Sequence, residues 1–116
     1  MRSDANIPMS TALPLITKVL IQHGEVVGGH NDGHGASYEQ RRYWDPDREF
    51  IISGDVEVTA NPTNPKIPVH GAARCVEVVT WYEGAQHTFT DSNPVIWDEV
   101  FNRIQALFVL DTLAGI

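Results

Sequence analysis

Two histidines four residues apart, His30 and His34, enclose Asp32 within a glycine-rich stretch of the chain. Neutral imidazoles and a carboxylate are ligands that first-row transition metals accept, and glycines allow a backbone to fold around an ion. His30, Asp32 and His34 are therefore candidate ligands for a divalent transition metal, in a metal-binding protein or a metal-dependent hydrolase. The alternative is a polar surface loop with no cofactor, because persuasive zinc motifs place histidine pairs on a helix or cysteines at fixed spacing.

Residue types that could carry out nucleophilic catalysis are also present, although none of them lies in a known catalytic motif. The possible nucleophiles are Ser37, Ser53 and Cys75, and the possible bases are His34 and His87. No nucleophile elbow surrounds the serines, and Cys75 falls inside a β-branched run, where a lone cysteine is usually a small core residue. The sequence leaves catalysis open and favours a protein that is not an enzyme.

Acidity is the other chemical feature, and it is dispersed along the chain. The 116 residues include 15 acidic residues against 8 lysines and arginines, which gives a formal net charge of −7 with histidines neutral. Such a surface repels phosphate and argues against direct nucleic-acid binding, but it can present carboxylates to a basic protein. Three acids lie at every second position in and directly after a predicted turn, Asp45, Asp47 and Glu49, and we expect them to contact a partner.

Composition is typical of one small globular domain. Hydrophobic residues make up 42% of the sequence and charged residues 20%, which is enough apolar material for a single core. The single cysteine excludes an internal disulfide, and no apolar run is long enough to span a bilayer. We expect a cytoplasmic protein without membrane contact, with a flexible N-terminal arm over residues 1–12 and a single domain over residues 13–116.

Turn residues and hydrophobic periodicity predict the elements that position these groups. Cap signals at Ser10 or Thr11 and a stop at Gly24 favour a helix over a strand for residues 13–22. Four glycines predict a loop over residues 28–35. Strands are predicted over residues 37–44, 48–53, 56–59, 74–82 and 85–90, with a proline-rich connector over residues 61–68.

Alternation in the first of these strands predicts two different faces. Tyr38, Gln40 and Arg42 share one face, whereas Glu39, Arg41 and Tyr43 share the other. The arginines therefore diverge and do not form a continuous basic patch for nucleic acid.

The C-terminal segment is predicted as an amphipathic helix, capped at residues 91–93 and with Pro94 at its first position. One broad stripe carries its apolar residues: Ile96, Trp97, Val100, Phe101, Ile104, Leu107 and Phe108. The opposite face carries Asp98, Glu99, Asn102, Arg103 and Gln105. The fold class that follows is α+β, an antiparallel sheet of four to five strands with this helix packed on one face.

Beyond Phe108 the apolar stripe breaks. Val109, Leu110 and Leu113 fall on the polar side of the helix, where a monomer would leave them in water. Burial contributes about 1.5–3 kcal/mol for each such side chain, so these residues predict a homo-oligomer formed through the C-terminal helix. The alternative is a helix that ends near Phe108, with the tail folded back on the core.

These features favour a small acidic, non-catalytic protein-binding module with an accessory, structural or inhibitory role. Its partner would be a protein, and the charge suggests a basic one that handles nucleic acid. Size and charge resemble those of small inhibitors carried by phages or mobile elements, although no motif of the chain matches such a family.

Overall fold

The structure, a computed structural model, describes residues 8–31, 33, 37–64, 66–93 and 97–114, with residue 9 and residues 108–114 described by their backbone alone. The elements in chain order are α1 (Met9–Gln22), β1 (Glu25–Asn31), β2 (Ser37–Asp45), β3 (Phe50–Thr59), β4 (Val69–Thr80), β5 (His87–Thr90) and α2 (Asp98–Ala114). A turn of 3-10 helix, Tyr82–Gly84, lies between β4 and β5. Within these ranges, neither α-helix combines the length and apolarity needed to cross a bilayer.

The strands form one antiparallel meander in the order β1-β2-β3-β4-β5. Helix α1 packs against β2, β3, β4 and α2. Helix α2 lies on the same side, where Trp97 contacts Phe89 of β5 with ring centroids 5.6 Å apart. The predicted α+β class, with an antiparallel sheet and the C-terminal helix packed on one face, is confirmed.

The core lies between the two helices and one face of the sheet, which we call the inner face. Alternate residues of β3 point into it, β4 contributes Ala73, Val76, Val78 and Thr80 with a bulge between the first two, and both helices contribute one apolar stripe. Its buried members are Ala12, Ile16, Val19, Leu20, Phe50, Ile52, Val56, Ala73, Val76, Val78, Trp97, Val100, Ile104 and Leu107. The predicted stripe of α2 is therefore confirmed at its four buried positions.

Helix α1 begins earlier than predicted. Its first residue is Met9, and Ala12, which was assigned to a flexible arm, is 1% exposed. Pro8 is the N-cap, and its carbonyl accepts bonds from the N–H groups of Thr11 (2.9 Å) and Ala12 (3.2 Å). Burial of Ala12 with the core therefore sets this end of the helix, and residues 1–7 of the predicted arm lie outside the described residues.

The glycine-rich segment is not a loop throughout. Gly28 and Gly29 pair with Gln40 and Glu39 of β2 as part of β1. A Cβ at Gly28 would lie 2.8 Å from Gln40 Oε1, the end of a flexible side chain, so the glycine leaves room for this side chain over β1. Pairing with β2 thus outweighs the weak strand propensity of glycine, while residues 32 and 34–36 lie outside the described residues.

Strand β3 is continuous, although a turn at residues 53–55 was predicted to divide it. Its register with β4 shifts between Ser53 and Asp55, so the irregularity is a bulge within a paired strand. Gly54 is buried there, and a Cβ would lie 3.2 Å from Val76 Cγ2 and 3.3 Å from Leu20 Cδ1. This glycine lets α1 approach the sheet closely instead of turning the chain.

The bulge also explains why the prediction that Cys75 is a core residue is wrong. Cys75 is exposed, has a left-handed backbone with φ of 53°, and lies between the buried Ala73 and Val76. Its N–H donates to an Asp91 carboxylate oxygen at 3.0 Å. Because the bulge adds a residue, alternation no longer carries position 75 inward.

The start of α2 also differs from the prediction. Thr90 and Asn93 form an isolated bridge, and the helix begins at Asp98 instead of directly after residues 91–93. Asp98, assigned to the polar face, is only 5% exposed. Residues 94–96, which include the predicted Pro94 start, lie outside the described residues.

Glu49, in the turn between β2 and β3, offers a stability prediction. Its φ is 63°, and left-handed backbone costs a residue with a Cβ about 1–2 kcal/mol. We expect Glu49→Gly to raise the free energy of unfolding by about 1 kcal/mol in urea denaturation, because glycine adopts this conformation without strain. The control is Asp47→Gly in the same turn, which should give no gain. A Glu49→Gly protein no more stable than the wild type would contradict this.

Candidate functional site

The face of the sheet opposite both helices, which we call the outer face, carries the side chains that alternate with the buried ones. Its residues from β1 to β5 are Glu25, His30, Tyr38, Gln40, Arg42, Trp44, Ile51, Ser53, Asp55, Glu57, Arg74, Glu77, Val79, Thr88 and Thr90. The alternation predicted for β2 is confirmed, because Tyr38, Gln40, Arg42 and Trp44 share this face.

An apolar row crosses the outer face at one end. Trp44 pairs with Ile51 on the neighbouring strand, and Ile51 pairs with Val79 on the next. Ile51 and Val79 are half-buried, whereas Trp44 is 61% exposed, the highest value among the large exposed hydrophobic residues described. We call Trp44, Ile51 and Val79 the apolar row. Its side chains lie side by side because paired positions on antiparallel strands bring their Cβ atoms within about 4.5–5.5 Å.

Charged residues occupy much of the rest of the outer face, with carboxylates in excess over arginines among the described residues. The carboxylates are Glu25, Asp55, Glu57 and Glu77, and the arginines are Arg42 and Arg74. Arg42 lies 3.8 Å from a Glu25 carboxylate oxygen, and the Arg74 guanidinium lies 3.6 Å from the Tyr38 ring centroid. Both arginines therefore have partners within the chain. In the row of paired positions next to the apolar row, which we call its rim, the carboxylates of Glu25 and Glu77 outnumber the one arginine, Arg42.

Tyr38, at the other end of the outer face, is already in contact with its neighbours. The His30 ring stacks on it with centroids 5.3 Å apart and an interplanar angle of 23°. The same histidine places Nε2 4.0 Å from an Asp55 carboxylate oxygen. Tyr38 thus packs within a side-chain cluster, whereas Trp44 presents most of its surface to solvent.

Only one of the three predicted metal ligands can be located. His30 lies on β1 with the contacts just described, while Asp32 and His34 fall outside the described residues. Among the residues that the structure describes, no three His, Cys, Asp or Glu side chains form a group able to hold a metal ion. The metal site at residues 30, 32 and 34 stays a prediction.

The acidic turn does not present three carboxylates to solvent. Asp45 is 4% exposed and accepts hydrogen bonds from Tyr43 Oη (2.8 Å), Arg48 Nη1 (2.7 Å) and the Arg48 N–H (3.0 Å). Burial alone would raise the pKa of Asp45, but these bonds lower it below the ordinary value. Asp45 therefore holds the turn together. Asp47 is exposed and Glu49 is half-buried, so Asp47 is the member best placed for a partner.

The predicted oligomer contacts lie at the end of α2. Val109, Leu110 and Leu113 belong to this helix, which continues to Ala114 instead of ending near residue 108. Their side chains fall outside the described residues. Self-association through this helix remains a prediction.

The candidate nucleophiles and the described base lie apart. Ser53 lies on the outer face and Cys75 is exposed at the bulge of β4, whereas His87 pairs with the buried Thr80 and stacks on Tyr82 with centroids 4.9 Å apart. His34 and its surroundings are outside the described residues.

The inner face also carries a polar cluster that was not predicted from the sequence. His70 Nε2 lies 3.3 Å from Glu39 Oε1, and the same oxygen accepts a 2.7 Å bond from Arg41 Nε. Arg41 Nη1 also donates to the carbonyls of Leu20 (3.3 Å) and Ile21 (3.4 Å) in the last turn of α1. Burial alone would raise the pKa of Glu39, but Arg41 and His70 lower it overall, which keeps the carboxylate ionised. The alternation of β2 was the available signal, because it placed Glu39 and Arg41 on the face that the helices cover.

Comparison with protein-family models, with curated proteins and with solved structures finds no match to this chain. Functional inference therefore rests on the chain's own geometry.

Proposed function

We propose that this chain is a small non-catalytic protein-binding module whose partner docks on the outer face, with Trp44 as the main anchor. The observation that carries the proposal is the exposure of Trp44, 61%, beside Ile51 and Val79 in one apolar row. Tryptophan is enriched among the few residues that dominate binding energy in protein interfaces. An exposed apolar group rimmed by polar residues is typical of such surfaces.

The rim supports a partner with basic residues around an apolar contact. The carboxylates of Glu25 and Glu77 belong to this rim, and the whole chain carries a net charge of −7. Complementary charge speeds association and sets orientation more than it adds affinity. A basic protein that handles nucleic acid fits this chemistry, and an accessory or inhibitory role in the cytoplasm of the producing or host cell follows from that choice.

Affinity capture from an extract of the source cell tests the proposal, with three immobilised proteins compared by quantitative mass spectrometry. The proteins are wild type, Trp44→Ala and, as control, Ile67→Ala, which removes another large apolar side chain of similar exposure, 59%, in the connector before β4. We expect the same captured protein from wild type and Ile67→Ala and its loss from Trp44→Ala. Equal capture by all three would contradict docking on the outer face.

A further inference from the structure

A groove of about 540 Å³ lies between α1 and the first residues of β4, away from the apolar row. Leu13, Pro14 and Ile21 of α1 form its apolar wall, and Ser10, Thr17 and His70 bring polar groups to it. The volume falls within the range of about 300–1,000 Å³ that is usual for small-molecule sites, which combine apolar walls with a few placed polar groups.

We propose that this groove binds a small amphipathic amine, whose hydrocarbon body lies along Leu13, Pro14 and Ile21 and whose ammonium group meets His70. The proposal is independent of partner binding on the outer face, since it uses different residues on different elements.

His70 supplies a hydrogen-bond acceptor. Its Nε2 faces the Glu39 carboxylate at 3.3 Å, and an ionised carboxylate can only accept, so Nε2 is the donor. In a ring with one N–H, Nδ1 is then the nitrogen with a free lone pair. Within the described part of the chain, Nδ1 has no hydrogen-bond partner.

Helix α1 supplies a second acceptor. Proline has no N–H, so Pro14 cannot donate the usual bond to the carbonyl four residues earlier, which belongs to Ser10. Ser10 and Pro14 both line the groove. An ammonium group carries three donors and no acceptor, so it can donate either to the imidazole nitrogen or to this carbonyl.

The charged groups behind His70 are paired with each other. Arg41 lies close by, but its guanidinium donates to Glu39 and to the Leu20 and Ile21 carbonyls. Its side chain is only 13% exposed, so it offers little to a ligand carboxylate. An anionic ligand would therefore gain no free guanidinium from Arg41 at this end of the groove.

Three probes of equal chain length test the proposal on the wild-type protein at pH 8. They are octylamine, octanol and octanoate, each titrated while the His70 ring and Ile21 methyl signals are followed by NMR. We expect saturable shifts at both residues with octylamine and a Kd at least tenfold higher for octanoate, with octanol between them. Octanoate binding as tightly as octylamine, or no saturable shift at these residues, would overturn the proposal.

A pair of variants locates the binding. His70→Phe keeps a ring but removes the acceptor, and it should weaken octylamine binding about tenfold. His87→Phe, which changes the histidine stacked on Tyr82, should leave octylamine binding unchanged. If His70→Phe does not fold, the three probes titrated on the wild-type protein still test whether the groove binds an amine. Loss of octylamine binding in His87→Phe but not in His70→Phe would refute the site.

Discussion

Replacing Trp44 by alanine is expected to weaken binding of the captured partner by at least roughly 30-fold, which corresponds to about 2 kcal/mol. The indole is 61% exposed in the free protein, so a partner that covers it gains apolar burial that alanine cannot supply. Isothermal titration calorimetry measures the change in Kd. Stability of the free chain should change by less than about 0.5 kcal/mol, since the side chain lies largely in solvent.

Two comparisons distinguish specific anchoring by Trp44 from nonspecific hydrophobic binding. Ile67→Ala should bind with the wild-type Kd, because this exposed isoleucine lies in the connector and not on the outer face. Raising the salt concentration should slow association for wild type and Trp44→Ala alike, since both retain the acidic rim. If Trp44→Ala binds the partner with a Kd within twofold of the wild-type value, Trp44 is not the anchor.

Asp45→Asn is expected to lower the free energy of unfolding by about 3 kcal/mol, the largest stability effect that we predict for a single polar substitution. The carboxylate is buried and joins Tyr43 and both the side chain and the backbone of Arg48. Asparagine keeps the shape but loses the charge that Arg48 faces. The control is Asp47→Asn in the same turn, which is exposed and should cost less than about 0.5 kcal/mol. Urea denaturation measures both.

The effect of Asp45→Asn should also depend on pH. The pKa of Asp45 is lowered in the folded protein from its ordinary 3.8. The ionised group therefore stabilises the fold fully above the unfolded pKa, and this stability is lost as pH falls through the folded pKa. We expect the gap between wild type and Asp45→Asn to be widest near neutral pH and to narrow in acid. A gap that stays constant down to pH 2 would contradict this assignment.

Periodic elements could be predicted because local pattern and burial agree in them. The stripe of Trp97, Val100 and Ile104 is buried as its spacing indicates, and β2 alternates as predicted. Elements that form only because a neighbouring strand pairs with them could not be predicted in this way. Gly28 and Gly29 form a strand because β2 supplies hydrogen bonds to them, which no local propensity of glycine shows.

The candidate site was predictable only in part, for a related reason. Alternation assigns Trp44 and Arg42 to one face of β2, but helix packing decides which face is covered. The pairing of Glu39 with His70 joins strands 31 residues apart in sequence. Asp45 counted as an exposed acid in the sequence because its burial depends on Arg48 and Tyr43 closing over it.

Backbone amide chemical shifts, recorded with and without the partner, test the central claim most directly. Binding on the outer face predicts that the perturbed amides cluster on β2, β3 and β4 around Trp44, Ile51 and Val79, with little change along the solvent side of α1. Perturbations that centre on α1, on α2 or on the connector at residues 61–68, with the apolar row unchanged, would contradict the proposed function.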